Sequence, residues 1–477
     1  MDQAAPLSLA PQRMSRVDTA WLHMDNDVNL MMIVGVWLLA PAVDLAAVRD
    51  RVRRRLVPLD RFRSRAVSDP LGAQWLPDTD FDLDRHVLAQ PLPSGHASEQ
   101  AALWALCGEL ASTALDPKRP LWQIHLIPSY GAGSALVIRV HHCIADGIAL
   151  ISVMNSIVDG GPDRPPRRPG ARAGAAGSDG WAEAIVRPLS DMVARAMDMG
   201  GTAAASSSPA APSGSAVLAH AGGQLLGDLV ALALMPDDAP TRLKGALSGR
   251  KVVAWSEPLP LDAVKAVGRA LGCSINDVLL ATVAGAIGGW LACQGDDPAG
   301  QEIRAMVPVN LRPADQAWQL GNRFGLAPLS LPIGLPNPVE RVYAVHHRMA
   351  GLKGSYQPLL AYGLLSLTGL MSKPLQDAVL GLLARKATAV MTNVPGPREA
   401  LRFCGARLEQ SLFWVPSSGD IGVGVSILSY AGGVQFGLIA DAGVCGEPKQ
   451  IIDRFAPEFD RLLWLVLQLP WVDQAKP

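Results

Sequence analysis

One segment of the chain carries paired histidines, an acidic residue and a glycine at a spacing that could support proton transfer. It reads His141-His142-Cys143-Ile144-Ala145-Asp146-Gly147. A neutral imidazole, whose ordinary pKa is about 6.5, can accept a proton from an alcohol that attacks a thioester. We therefore predict that His142 is a general base. Asp146 would anchor the loop through an ion pair or a hydrogen bond, and Gly147 would permit a tight backbone turn.

The same residues admit two other interpretations. A histidine near a strand end is most often a core residue whose ring nitrogens are satisfied by neighbouring groups. A metal site is disfavoured, because adjacent histidines point to opposite sides of a strand and no third ligand is suitably spaced. His346 and His347 form another histidine pair, but no Asp-Gly follows them. Their amphipathic surroundings predict an ordinary helix face.

A second candidate segment precedes the histidine motif and reads Pro-Leu-Trp-Gln at residues 120–123. If residues 129–133 close a β-hairpin, the register places Trp122 opposite Val140 and brings the segment next to the motif. A position of the Trp122 ring in the core is an equally good interpretation. The residues that would border the site and contact the substrate are Pro120, Leu121 and Trp122.

A third candidate segment reads Ser274-Ile275-Asn276-Asp277. Ser274 is predicted to be the N-cap of a helix, with Asp277 at its third position as in a capping box. Asn276 would lie in the first turn, where its amide could stabilise an oxyanion or position a partner loop.

Hydrophobic periodicity predicts a strand that enters the histidine motif and a helix that leaves it. Residues 135–140 are apolar except for Arg139, and apolar residues recur at helical spacing over 147–158. Further strands are predicted at 30–39, 122–127, 251–257, 302–310, 407–415, 421–430 and 434–441, of which the last two form a hairpin. Further helices are predicted at 45–57, 98–115, 181–197, 216–235, 261–271, 275–294, 357–371 and 375–383.

Both halves of the chain mix strands and helices, and a length of 477 residues exceeds what a single core usually supports. We predict a mixed α/β fold with an N-terminal domain at residues 1–159 and a C-terminal domain at residues 250–477. Residues 160–249 are rich in Gly, Pro, Ala and Ser and are predicted to be a linker with bridging helices.

Composition excludes several classes of protein. The 42 Lys and Arg residues balance the 43 Asp and Glu residues, so the chain lacks the basic field that attracts nucleic acid. Six cysteines without metal-ligand spacing fit a reducing cytosol and predict no zinc site. The N-terminus lacks the features of a secretory signal, and the apolar runs are shorter than the roughly 20 residues that span a bilayer. We expect a cytoplasmic protein that contacts an inner membrane or lipid droplets at most peripherally.

Several motifs together resemble the bacterial wax ester synthase/diacylglycerol acyltransferase family. They are the histidine motif, Pro-Leu-Trp-Gln, Asn-Asp at 276–277, Asn-Val-Pro-Gly-Pro at 393–397 and the opening segment at 14–22. Their order and separations also fit, so the resemblance covers nearly the whole chain. It implies two chloramphenicol-acetyltransferase-like domains, each a mixed β-sheet flanked by helices, with the active-site tunnel between them.

The resemblance also implies a reaction. An alcohol deprotonated by His142 would attack acyl-CoA directly, and the acceptor would be a long-chain alcohol or a diacylglycerol. Acyl-CoA would be a substrate, and no metal or prosthetic group would be required. His141 and Asp146 would hold the loop of the base.

The remaining motif residues are assigned by the same resemblance. Asn276 and Asp277 would support the site from the second domain, and Asn393, Pro395 and Gly396 would shape its far wall. Gln123 departs from the pattern, because the family commonly has Glu at that position.

Two alternative functions share these features. A condensation-type acyltransferase would use a carrier-bound donor or an amine acceptor, and a similar histidine motif occurs in such domains. A non-catalytic lipid-surface protein would keep the fold without turnover, although the intact His142, Asp146 and Gly147 argue against it.

Overall fold

The computed structural model describes residues 11–162, 235–312, 320–353 and 373–469, together with residues 358, 361, 362 and 365. The helices predicted at 181–197 and 216–235 lie outside the described residues, apart from residue 235. Most of the helix predicted at 357–371 lies outside them as well.

Helices and strands alternate along the described parts of the chain. The α-helices are α1 (Arg16–Met24), α2 (Leu45–Arg55), α3 (Glu99–Ala111), α4 (Gly147–Ile157), α5 (Leu261–Leu271), α6 (Ile275–Cys293), α7 (Pro338–Lys353), α8 (Lys373–Ala384) and α9 (Lys449–Leu467). The strands of the first half are β1 (Gln12–Arg13), β2 (Met32–Ala40), β3 (Ser64–Asp69), β4 (Gly72–Pro77), β5 (Val87–Ala89), β6 (Trp122–Tyr130) and β7 (Gly133–His141). The strands of the second half are β8 (Lys251–Trp255), β9 (Leu259–Pro260), β10 (Ile303–Asn310), β11 (Phe324–Leu331), β12 (Ala389–Pro395), β13 (Arg402–Phe403), β14 (Ala406–Trp414), β15 (Val423–Tyr430) and β16 (Gly433–Asp441).

The first large sheet contains six strands in the order β13-β14-β2-β7-β6-β5. The β6–β7 hairpin has the predicted register, with Trp122 opposite Val140. Strands β13 and β14, however, come from the second half of the chain, and β14 pairs antiparallel with β2. The range 250–477 therefore does not form one separate domain, because residues 402–414 complete the sheet of the first.

The second large sheet has the order β11-β10-β12-β15-β16-β8, with β9 also paired to β16. The predicted hairpin between 421–430 and 434–441 is present as β15 and β16, which pair antiparallel. Pairing of β12 with β10 and with β15 is parallel, so this sheet is mixed. A smaller sheet of β1, β4 and β3 lies outside both.

Helix α3 joins the two large sheets. Leu103 and Leu106 of α3 share a core with Val34 and Val36 of β2 and with Trp255 of β8. The other face of β2 carries Ile33 and Trp37, which pack in a core with α4. Every residue of β7 is buried, as expected for a central strand covered on both faces.

Helix α6 is the one described helix that is long and apolar enough to cross a membrane. It is 78% buried over its most apolar window and packs against α5, α7 and α9. Such burial is that of a core helix, and α6 forms the centre of the second domain.

Candidate active site

The histidine motif lies where β7 ends and α4 begins, as predicted. His141 is the last residue of β7 and pairs with Met32 of β2. The backbone N–H of His142 donates to the Met31 carbonyl at 2.7 Å. Asp146 is the N-cap of α4, and its Oδ1 accepts from the Ala149 N–H at 2.9 Å.

Gly147 has a different role from the predicted one. It is the first residue of α4, and its φ does not fall in the left-handed region, so no tight turn requires a glycine there. A Cβ at this position would meet Cε2 of Phe413 at 3.8 Å. The missing side chain therefore keeps a space open between the start of α4 and the Phe413 ring.

His142 is enclosed by two aromatic side chains. Its ring stacks on Trp21 of α1 with a centroid distance of 4.0 Å and an interplanar angle of 11°, and Phe324 lies at 5.5 Å. His142 is only 2% exposed, yet it lines the large cavity described below. The stack fixes the plane of the imidazole and limits its contact with bulk water.

Burial, with a smaller contribution from the nearby His141, lowers the pKa of His142 to about 3. The imidazole is therefore neutral at pH 7 and can accept a proton. Because only the neutral form acts as a base, kcat/KM should stay nearly constant from pH 8 down to about pH 5. The pH dependence of kcat/KM measures this, and an acid limb centred near the ordinary histidine pKa of about 6.5 would contradict the expected shift.

His141 supports the motif from the opposite side of the strand. Its Nδ1 accepts from the Cys143 N–H at 3.2 Å, and its Nε2 lies 3.7 Å from Oδ1 of Asp25. Burial lowers the pKa of His141, but the Cys143 thiol and Asp25 outweigh burial and raise it to about 10. His141 does not line the large cavity, which gives it a positioning role.

Asp146 forms the ion pair that the sequence predicted for it, and its partner is Arg312. The Arg312 Nη2 lies 2.8 Å from Asp146 Oδ2, and the side chains are 1% and 5% exposed. The Arg323 N–H donates to the same oxygen at 2.9 Å. Burial raises the pKa of Asp146, and Arg312 with the two backbone donors opposes that shift. The pair joins the motif to the second half of the chain.

Asp18 of α1 connects the motif to two further supports. Its Oδ1 accepts from both the backbone and the side-chain N–H groups of Asn322, at 3.0 and 2.8 Å, and its Oδ2 lies 3.1 Å from Arg61. Asn322 Nδ2 also donates to the His142 carbonyl at 2.8 Å. Arg61 Nη1 donates to the Ile144 carbonyl at 2.7 Å. Asn322 and Arg61 thus hold the backbone of the motif, and both are bound to the buried carboxylate of Asp18.

Sequence reasoning did not identify several of these supports. Asp18 and Trp21 belong to the opening segment at 14–22. That segment is part of the family resemblance, but the resemblance assigns no role to either residue. Arg312 and Asn322 lie far from the motif in sequence and in no recognised pattern. A buried charge becomes recognisable as a support only when its partner is known.

A large cavity lies between the two domains and measures about 3230 Å³ including its opening to solvent. His142 and Gly147 line it from the first domain. Four of the predicted residues line it from the second domain, and they are Asn276, Asn393, Pro395 and Gly396. Asn393 Nδ2 donates to Asn276 Oδ1 at 2.7 Å. Asn276 therefore contacts strand β12, and not the partner loop that was one of the two roles predicted for it.

The predicted substrate contacts of the Pro-Leu-Trp segment are not supported. Within the described residues, the lining of the large cavity does not include Pro120, Leu121 or Trp122. Trp122 is fully buried, stacks on His86 at 4.5 Å and donates from Nε1 to the Phe62 carbonyl at 2.8 Å. Its ring therefore has the core position that was the alternative interpretation. The segment still supports the motif, because the His141 N–H donates to the Leu121 carbonyl at 2.9 Å.

Gln123 pairs with the charged residue of β7. Its Oε1 accepts from Arg139 Nη1 at 2.8 Å, and Arg139 also donates to the Thr113 carbonyl. Burial lowers the pKa of Arg139 to about 10. The neutral amide of Gln123 therefore pairs with the guanidinium of Arg139.

Asp277 is a capping residue and is absent from the cavity lining among the described residues. It forms the predicted capping box with Ser274 at the start of α6. Its Oδ2 also lies 2.8 Å from Nδ1 of His346, so His346 is not only part of a helix face. Cys273, Asp277 and His346 have ligand atoms within 4.8 Å of one another, a set that a metal ion could use. The cap and the hydrogen bond with His346 already account for the placement of Asp277.

Fold and site together define a class of protein. Two sheet-containing domains enclose a cavity, and the only described histidine in its lining follows a central strand and is backed by a buried Asp–Arg pair. This is a two-domain mixed α/β fold with a histidine base candidate in the cavity between the domains, the arrangement implied by the resemblance to chloramphenicol-acetyltransferase-like acyltransferases.

Comparison with known proteins identifies the family. The model of the wax ester synthase/diacylglycerol acyltransferase catalytic domain matches residues 14–279, and that of the WS/DGAT C-terminal domain matches residues 320–463. A Mycobacterium tuberculosis protein named as a probable diacylglycerol O-acyltransferase is 29% identical over 436 residues, which cover 90% of each chain. Another M. tuberculosis protein, named provisionally as a diacylglycerol O-acyltransferase, is 30% identical over 89% of this chain and 94% of its own.

Solved structures have the same fold. The wax ester synthase/diacylglycerol acyltransferase from Marinobacter aquaeolei VT8 superposes with a TM-score of 0.65 at 22% identity, over 95% of this chain and 100% of that chain. The first condensation domain of the calcium-dependent antibiotic synthetase superposes with a TM-score of 0.57 at 15% identity, over 96% of this chain and 97% of that chain. This chain belongs to the wax ester synthase/diacylglycerol acyltransferase family. It is an O-acyltransferase of that family.

Proposed function

We propose that the protein transfers a fatty acyl group from acyl-CoA to a long-chain alcohol or a diacylglycerol, with His142 as general base. The observation that carries this proposal is a neutral, buried imidazole that nonetheless lines a large interdomain cavity. The cavity walls are predominantly apolar, with Leu279, Leu326 and Val390 among them, which suits substrates with long alkyl chains.

The proposed reaction is a direct transfer. His142 accepts the hydroxyl proton of the alcohol while its oxygen forms a bond to the thioester carbonyl carbon. The tetrahedral intermediate collapses as the carbon–sulfur bond breaks, and CoA leaves as the thiol after it takes the proton from His142. Ester and free CoA are the products, and no acyl-enzyme forms. The reaction draws on protein side chains alone, without a cofactor.

Asn276 is the proposed donor to the developing oxyanion. Its Oδ1 already accepts from Asn393, so its side-chain N–H group is the part left to face the cavity. Asn393 orients Asn276, and the two amides act as one unit from the second domain.

The test of the proposed function is the release of thiol by the purified protein. Palmitoyl-CoA is supplied with hexadecanol, with a diacylglycerol or with neither, and the lipid product is identified by mass. Thiol release that depends on an acceptor, with formation of the matching ester, is the expected result. Acyl transfer only from a carrier-bound donor, or only to an amine, would favour the condensation-type alternative instead.

We further propose that the protein is cytoplasmic and meets its lipid substrates at a membrane or lipid-droplet surface. Trp464 and Leu467 at the end of α9, and Leu469 just after it, are exposed, with accessibilities of 65%, 51% and 41%. Exposed aromatic and aliphatic side chains of this kind bind the boundary between headgroups and acyl chains. Flotation with phospholipid vesicles tests the proposal, and protein that remains wholly in the unbound fraction would contradict it.

A further inference from the structure

A second, narrower cavity lies where the first domain meets the second sheet. It measures about 740 Å³ including its opening to solvent and is bounded by one face of the six-stranded sheet, by helix α4 and by Leu428 and Tyr430 of β15. Its apolar walls include Ile33, Trp37, Ile138, Leu150, Met154 and Phe413. A space therefore remains beneath α4.

Gly35 lines this space without a side chain. It lies near the middle of β2, between Ile33 and Trp37 on the same face, and it pairs with Ile138 of β7 and Phe413 of β14. Its φ is outside the left-handed region, so the backbone does not require a glycine. A Cβ there would meet the nearest atom, the Leu412 carbonyl oxygen, at 3.6 Å. A glycine inside a strand commonly marks a place where another group approaches the backbone.

The narrow cavity and the large cavity share part of their lining. Residues that line both are Gly147, Gly396, Pro397, Phe413 and Tyr430. Gly147 begins α4, five residues after His142, and has no side chain beside the Phe413 ring. Gly147 lines both cavities, whereas His142 lines only the large one.

The chemistry of the walls restricts what can enter. Among the described residues, those that line the narrow cavity include no charged side chain. The hydroxyl of Tyr430 is already occupied, since it donates to the Leu408 carbonyl and accepts from the Leu401 N–H, both at 2.8 Å. Asn155 and Ser411 are the remaining polar side chains. A group rich in hydrogen-bonding atoms, such as pantetheine or a glycerol headgroup, would lose its hydration there without compensation.

We propose that the narrow cavity holds the alkyl chain of one substrate and that Gly35 sets the chain length that fits. This inference rests on the proposed function. The chain enters past Gly147 and Phe413 with its reactive end at His142, and its far methylenes pack over Gly35 against Trp37. The fatty acyl chain of the donor and the alkyl chain of the acceptor are both apolar chains of methylenes, so either could fit this cavity.

The variant Gly35→Leu tests the proposal, because its side chain would occupy the space above β2. Values of kcat/KM are measured with acyl-CoA donors of 4 to 18 carbons and a fixed alcohol, and then with alcohols of the same lengths and a fixed donor. We expect at least a roughly 10-fold loss for the 16-carbon substrate relative to the shortest one, in the series whose chain uses the cavity. A loss in the donor series assigns the acyl chain, and a loss in the acceptor series assigns the alcohol.

Controls separate filling of the cavity from loss of folding. Gly351→Leu is the matched change on the exposed part of α7, where a Cβ would meet nothing within 4 Å, and it should leave both series unchanged. The chain-length preference of Gly35→Ala should lie between those of wild type and Gly35→Leu. If Gly35→Leu does not fold, Met154→Trp fills the cavity from the α4 wall and should give the same change in chain-length preference.

Binding without turnover distinguishes this proposal from the proposed function. A fluorescent fatty acid of 16 carbons should bind wild type and Gly351→Leu with the same Kd and bind Gly35→Leu at least about 10-fold more weakly. That result supports the cavity assignment even if no acyl transfer is found. Folded Gly35→Leu with wild-type binding and wild-type chain-length profiles in both series would overturn the assignment.

Discussion

Replacement of His142 by alanine is expected to lower kcat by about 10²- to 10⁴-fold, the usual contribution of a general base. The alcohol would then have no imidazole beside it to accept its proton and would have to lose that proton to water. The KM for acyl-CoA should change little, because the imidazole acts on the acceptor hydroxyl. Steady-state thiol release with both substrates present measures the effect.

A matched variant is available in the second histidine pair. His347 lies on an exposed part of α7 and outside the cavity lining, so His347→Ala should retain wild-type kcat. Equal rates for wild type and His142→Ala would remove His142 from the mechanism. Trp21→Leu adds a further comparison, because it leaves the base in place but removes the ring on which it stacks.

Replacement of Arg312 by methionine is expected to destabilise the protein by about 3–5 kcal/mol, since it leaves the Asp146 carboxylate buried without its cation. Arg312 and Asp146 are nearly inaccessible, and Arg312 Nη2 also donates to the Gly321 carbonyl at 2.6 Å. The same change should lower activity, because Asp146 caps the helix that follows the base. Urea denaturation of wild type and variant, monitored by fluorescence, measures the loss.

The control for this prediction is an exposed ion pair of the same type. Arg348 pairs with Glu302, and the side chains are 28% and 47% accessible. Arg348→Met should therefore change the free energy of unfolding by no more than about 1 kcal/mol. Similar denaturation midpoints for Arg312→Met and wild type would show that the buried pair does not stabilise the fold.

Local structure was largely predictable from the sequence. The helix predicted at 261–271 has those bounds in the structure, and the capping box of Ser274 and Asp277 is present. The β6–β7 and β15–β16 hairpins have the predicted pairing. These features depend on residues only a few positions apart, on the alternation of side chains and on short turns, and all of that information is local.

The role of individual motif residues was less predictable. The register of β6 was right, but it did not determine whether Trp122 faces the cavity or the core. Its Nε1 donates to Phe62, a residue 60 positions away, and only the packing of the two segments reveals that contact. Gly147 was correctly selected for the site but for the wrong reason, because its value is space for a neighbouring side chain and not backbone freedom.

The sequence by itself determined the location of the candidate base, the capping box of Ser274 and Asp277 and, through resemblance, the family. Tertiary structure alone decided that β14 completes the first sheet, that Arg312 pairs with Asp146 across 166 positions, and that Trp21 stacks on His142. The physical reason is that burial and pairing across long separations depend on which surfaces the whole chain brings together. A strand or a charge has the same local sequence pattern whichever partner it finds.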